Sequence, residues 1–229
     1  MVDVTIVNGS PKMERGNTAF LLAPFMAGMQ KAGANVKLIY ASGLQIKPCS
    51  CGQMVCWSRT PGVCIHNDEM SDLYPSLKQS DILIFATPVY TPLPGAMQEF
   101  LNRLCPLLDP RLRFENGRSK AQFRDDVKIK KIGLLAASGW WEVENTDTVV
   151  KIIKDLASLA RCEFLPPILR PQAGNLRSRS GMTEIGKEIM GLMEIAGEQL
   201  IRTGTIETTI TESIQQPLMP LEEFLAAWN

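Results

Sequence analysis

Val4-Thr5-Ile6-Val7-Asn8-Gly9-Ser10-Pro11-Lys12-Met13-Glu14-Arg15-Gly16-Asn17-Thr18 is the stretch from which the fold of this chain can be read. It opens with β-branched apolar residues, the composition of a strand buried on both faces of a parallel sheet. Asn-Gly-Ser-Pro then ends the run, because Gly and Pro turn the chain. After Gly16-Asn17-Thr18 the apolar residues Ala19-Phe20-Leu21-Leu22 continue as a helix. Strand, polar loop and helix start aim backbone N–H groups and a positive helix end at one point, where a phosphate can sit. Ser10, Asn17 and Thr18 add side-chain donors. No Lys follows the second Gly, as a P-loop requires, and no G-x-G-x-x-G is present. A cradle of hydroxyls and amides suits a single terminal phosphate. The same residues also suit a strand–helix turn with a Ser or Thr cap and no ligand.

The whole chain bounds what that loop can belong to. Its 229 residues suit a single α/β domain over 1–229, with an inserted cysteine-rich loop at 43–66 and a C-terminal arm at 205–229. Hydrophobic and charged fractions of 45% and 21% are those of an ordinary globular protein. The formal net charge is zero, which argues against nucleic acid or an anionic membrane as a partner. The N-terminus enters a strand at once, without a basic n-region or an apolar h-region, and no apolar run reaches the length of a membrane span. Six cysteines without an export signal read as thiols or metal ligands rather than disulfides. The expected location is the cytoplasm.

Beyond the opening strand, apolar runs predict strands over 36–40, 81–86, 132–137 and 163–169. Helical spacing predicts helices over 21–31, 68–79, 96–108, 148–159 and 182–202. Residues 109–130, crowded with Arg and Lys, read as a surface excursion. The segment Gln215-Gln216-Pro217-Leu218-Met219-Pro220 reads as an arm laid on a neighbouring surface. Strands alternating with helices five times imply a doubly wound, five-stranded parallel sheet. In a flavodoxin-like order of 2-1-3-4-5, the three unusual loops, after strands one, three and four, end side by side. That is where such sheets bind ligands.

The second of these loops, Thr87 to Gly95, contains Pro88, Pro92 and Pro94, so its backbone is stiff and can be held against a flat polar ring at small entropic cost. Tyr90 can stack on that ring or pack internally. The third loop, Ser138-Gly139-Trp140-Trp141-Glu142, sets two indoles at a strand end. They suit either cover for a ligand or an aromatic pair in a core or dimer interface. Together the three loops favour the phosphate reading, and a lone phosphate with a flat ring describes FMN.

Here the chain resembles a known family. Gly9-Ser10-Pro11-Lys12 with Gly16-Asn17-Thr18, then Ala86-Thr87-Pro88-Val89-Tyr90 and Leu101-Asn102-Arg103-Leu104, is similar to the NADPH-dependent FMN reductase superfamily. Pro48-Cys49 to Cys64, with Asp68-Glu69-Met70, resembles its iron–sulfur flavoprotein branch. The likeness runs from residue 2 to about residue 171. It implies a flavodoxin-like fold and one FMN per subunit, with the phosphate on Ser10, Lys12, Asn17 and Thr18. The ring would lie against Pro88, Val89 and Tyr90 and the Ser138-Gly139-Trp140 loop. It also implies a homodimer or homotetramer with the flavin near a subunit interface.

Cys49, Cys51, Cys56 and Cys64 depart from that branch's pattern of C-x2-C-x2-C-x(4–7)-C for a [4Fe–4S] cluster. Four thiols within sixteen residues suit ligation of a cluster or of zinc. The altered gap between Cys51 and Cys56 equally leaves room for reduced thiols without metal. Cys105 and Cys162 read as buried packing residues, and the single His66 as a surface loop residue.

The chemistry implied is electron transfer: NAD(P)H as donor and a quinone, free flavin, oxygen species or ferredoxin as acceptor, with no acid–base pair required. One His cannot serve a Ser-His-Asp set built elsewhere. The basic residues Arg111, Arg113, Arg118, Lys120 and Arg124 suit either a nicotinamide phosphate or plain solvent. Two other classes stay open: a flavodoxin-like carrier without its own substrate, and a redox or metal sensor built on the cysteine loop.

Overall fold

A computed structural model describes residues 1–52, 54–115, 117–178 and 181–228. The opening stretch forms β1 (Asp3–Asn8), a 3-10 turn at Met13–Arg15 and α1 (Asn17–Lys31). β2 (Asn35–Tyr40) leads into the cysteine-rich loop, which carries one short helix, α2 (Val55–Ser58). α3 (Glu69–Gln79) starts from a capping box. The Asp68 carboxylate accepts from Met70 N, and Ser71 returns a contact to the Asp68 amide. β3 (Ile82–Pro88), α4 (Gly95–Asn102) and the hairpin β4 (Arg113–Glu115)–β5 (Arg118–Lys120) come next. They are followed by β6 (Lys131–Ala137), α5 (Asp147–Leu159), β7 (Glu163–Phe164) and β8 (Ile168–Arg170). A small ladder of β9 (Arg177–Ser178) and β10 (Gly181–Met182) precedes α6 (Glu184–Thr203), α7 (Thr208–Gln215) and α8 (Leu221–Ala226).

The main sheet is parallel, in the order β2-β1-β3-β6-β7, with β8 also paired to β6. This is the expected 2-1-3-4-5 order with its fifth strand in two pieces. Pro166 and Pro167 lie between the pieces and have no amide to give to the ladder. Alternate residues of the central strands face opposite layers. Val7, Leu83, Phe85 and Leu134 pack with α3, α4 and α5 through Met70, Leu77, Phe100 and Ile153. Val4, Ile6, Ile82 and Ile84 pack with α1 and α6 through Leu22, Phe25, Met193 and Leu200. Burying one such side chain contributes about 2–3 kcal/mol. α1 and α6 touch backbone to backbone. A Cβ on Gly28 would lie 1.9 Å from the Glu194 carbonyl oxygen, and one on Gly197 2.0 Å from that of Phe25. Only glycine fits at either position.

Three expectations are corrected here. The helix expected over 96–108 stops at Asn102, with a 3-10 turn at Cys105–Leu107, because Pro106 has no amide to give the Asn102 carbonyl and its ring crowds it. Residues 109–130 are not merely surface. Ala121, Phe123, Val127 and Ile129 are buried, while Arg111 stays exposed as expected and pairs with Asp109. The C-terminal region is two helices joined by a segment that lies on the chain's own sheet end. Among the described residues, no helix is long and apolar enough to cross a membrane.

Candidate functional site

The carboxyl ends of β1, β3, β6 and β8 open onto a cleft of about 340 Å³. Its floor is the first loop. Ser10 donates its amide to Asn8 Oδ1 at 2.9 Å and accepts at Oγ from the Lys12 amide at 3.3 Å. The 3-10 turn then returns the chain to Gly16, whose carbonyl takes the Phe20 amide at 3.1 Å. A Cβ on Gly16 would meet Ser10 Oγ at 2.7 Å, so any larger residue there would displace the Ser10 hydroxyl. No side chain among the described residues caps α1, and its first amides are left for another acceptor. Asn8 Nδ2, buried at the end of β1, also has no partner among them.

Ser10, Lys12, Asn17 and Thr18 line this cleft together with Pro88, Val89 and Tyr90, as well as Ser138 and Gly139. Val89 is fixed by its amide on the Ala137 carbonyl at 2.9 Å, which joins the second loop to the third. Tyr90 is 53% exposed, so the internally packed alternative does not hold. The two indoles divide. Trp140, 59% exposed, lines an adjoining cavity rather than the cleft itself. Trp141 turns away and donates Nε1–H to the Met219 carbonyl at 2.9 Å.

A second cavity lies under the cysteine loop. Cys49, Cys51, Cys56 and Cys64 all line it, and so do His66, Arg103 and Cys105. Cys105 is therefore not the mere packing residue expected, since it lines this cavity with the four thiols of the loop. Cys162 does behave as expected, half-buried with its thiol 3.5 Å from the Ile129 carbonyl. Burial pushes the Cys49 and Cys56 thiols up, and pushes Cys105 up to about 12, which favours the protonated thiol in all three.

The root of this loop is held by a buried ion pair. Arg103 donates to both Asp68 oxygens, at 2.8 and 2.9 Å, and to the Lys47 carbonyl at 2.7 Å. Asp68 Oδ2 also accepts the Lys47 amide at 2.9 Å. The Arg103 hydrogen bonds hold the Asp68 carboxyl at about 2, well below the ordinary 3.8.

The thiols match a metal cluster in donor chemistry but not in geometry. Among the described residues no three of Cys, His, Asp or Glu stand together as a metal site. The cavity itself holds about 10 Å³, room for one water and not for a cuboid of iron and sulfide. As folded, the loop does not fit a [4Fe–4S] cluster.

The cleft, by contrast, is built as the first loop requires, and comparison with known sequences agrees. The family model for NADPH-dependent FMN reductase matches residues 2–153. The chain belongs to the NADPH-dependent FMN reductase family. A curated relative, an iron–sulfur flavoprotein from Archaeoglobus fulgidus, is 30% identical over 100 residues, 43% of this chain and 43% of that one. The chain thus spans less than half the length of the curated relative it matches. Two solved structures share the fold. An NAD(P)H:quinone oxidoreductase from Methanothermobacter marburgensis is 14% identical with a TM-score of 0.60, over 87% of this chain and 96% of that one. An FMN-dependent NADH-azoreductase from Bacillus anthracis, in complex with FMN, is 12% identical with a TM-score of 0.63, over 87% and 100%.

This member of the FMN reductase family also has cleft residues that sequence reasoning missed. Ala173, Gly174 and Asn175 enter the cleft from the loop after β8, and Trp228 from the C-terminus. The signal for the first three was available, since every loop at that end of the sheet is a candidate. Arg177 stacks its guanidinium 4.2 Å from the Phe20 ring centroid and donates to Asn17 Oδ1 at 2.8 Å. That sets a cation at the start of α1.

Proposed function

We propose that the chain is an FMN-dependent oxidoreductase that takes electrons from NAD(P)H and passes them to a small acceptor such as a quinone or free flavin. The observation that carries this reading is the single cleft uniting a phosphate-sized loop at the start of α1 with the stiff Pro88-Val89-Tyr90 edge. Family membership supports it. Ser10, Asn17, Thr18 and the first amides of α1 would hold the FMN phosphate, with Lys12 and Arg177 balancing its charge. Pro88 to Tyr90 and Ser138-Gly139 would hold the ring, the Val89–Ala137 hydrogen bond fixing the spacing between the two loops. Bound there, FMN supplies the two-electron exchange, and the protein supplies orientation and access. Steady-state oxidation of NADPH and NADH by FMN-loaded protein, with ferricyanide, free flavin and a benzoquinone as acceptors, tests the reading. Turnover with at least one pair is expected. FMN bound without turnover in any pair would leave an electron carrier instead.

A second reading, in which the cysteine loop holds a [4Fe–4S] cluster, is favoured by five thiols facing one cavity. It requires the loop to open, because the thiols as placed do not enclose such a group. No step of the reaction is therefore routed through it. Iron and sulfide assays on anaerobically purified protein separate the two readings: none bound keeps the thiols as packing, and four of each per chain establishes the cluster.

A further inference from the structure

Beside the cleft lies a cavity of about 390 Å³, lined by Gly139, Trp140, Phe224, Leu225 and Trp228. We propose that it is a second compartment of the same site, built by α8, that binds the uncharged fused-ring portion of an aromatic substrate. The proposal rests on the FMN reading of the adjoining cleft, and the two are continuous because Gly139 and Trp228 line both.

The lining chemistry selects the occupant. None of the five residues carries a charge, so the wall offers a charged ligand no ion pair for the hydration it gives up there. Two indoles and a phenyl ring offer flat faces and edges, which favour another flat aromatic. The volume lies within the range of small-molecule pockets. A single six-membered ring would leave much of it unfilled and forfeit the contacts of the far wall.

The wall is held in place, not adventitious. Arg170 is fully buried, and among the described residues no carboxylate pairs with it. Its guanidinium instead donates to the carbonyls of Pro171, Ile214 and Gln216, the last at 2.7 Å. Gln172 Oε1 accepts the Leu218 amide at 2.6 Å, and Trp141 Nε1–H reaches the Met219 carbonyl. Three side chains from the sheet end thus tie residues 214–219, directly ahead of α8. Phe224 is buried, its ring centroid 6.3 Å from that of Trp228. Trp228 is nevertheless 76% exposed, an indole held beside the cleft without a cover. Phe224, Leu225 and Trp228 lie beyond residue 153, where the family match ends, and Gly139 and Trp140 lie within it.

The test is calorimetric titration of FMN-loaded protein with 1-naphthol and with phenol, both uncharged near neutrality and independent of turnover. Wild-type protein should bind naphthol at least about tenfold more tightly than phenol, because the second ring buries further apolar surface. Leu225→Asp should remove naphthol binding, and Leu225→Ala should weaken it several-fold. FMN affinity, measured by fluorescence, should be unchanged in both, which also shows that the variants fold. Equal affinity for the two probes, or naphthol binding unaffected by Leu225→Asp, overturns the proposal. So does sedimentation showing that Leu225→Asp splits an oligomer while naphthol does not bind to wild type, since the face is then an interface between copies. If the protein takes up no FMN, the cofactor reading fails, and titration of the apoprotein still reads the compartment.

Discussion

Thr18 is nearly fully buried at the start of α1 yet lines the cleft, where the proposed phosphate would take its hydroxyl. Replacing it with Val keeps the shape and removes the donor. Thr18→Val should weaken FMN binding by about 1–2 kcal/mol, roughly tenfold, the scale of one hydrogen bond to a phosphate. Fluorescence titration checks it, and unchanged affinity would place the phosphate elsewhere. The residues of this loop were legible because they are contiguous and their types carry the chemistry. Arg177 was not, since it meets Asn17 across 160 positions of sequence and belongs to no motif. Cys105 was hidden for the same reason: inside the helix expected over 96–108 it reads as packing, and only the fold brings it to the cavity of the cysteine loop.

At the scale of elements, the cysteine loop hangs on Asp68, which caps α3 and pairs with the buried Arg103. The folded carboxyl sits at about 2 against 3.8 when free, so the carboxylate is the form the fold favours. Its contribution, about 2 kcal/mol, is present in full above roughly pH 4 and is lost as pH falls through about 2. Asp68→Asn should cost about 3 kcal/mol at neutral pH, because it strands a buried guanidinium. It should also flatten the acid limb of the stability curve. Denaturant unfolding at pH 6, 4 and 2.5 measures both, and an acid limb retained in the variant would assign it to other carboxylates. The elements that sequence missed have two causes. Pro166-Pro167 splits the fifth strand, and the six-residue α8 is too short for its periodicity to stand out.

For the whole molecule, the doubly wound order was readable because five apolar runs alternate with helices, and the handedness rule leaves few ways to wind them. The α1–α6 contact was not readable, since nothing local marks Gly28 and Gly197 as the points where two backbones meet. Gly197→Ala should lower stability by about 3 kcal/mol by forcing these helices apart. Thermal or denaturant unfolding checks it, and a loss under about 0.5 kcal/mol, the size of an ordinary surface substitution, would contradict the contact. The central claim is that the cleft is made for one terminal phosphate and a flavin ring. Purified apoprotein offered equal amounts of FMN, FAD and riboflavin, then desalted and denatured, answers this by chromatography of what it releases. The account predicts FMN alone, one per chain; FAD, riboflavin or no flavin would contradict it.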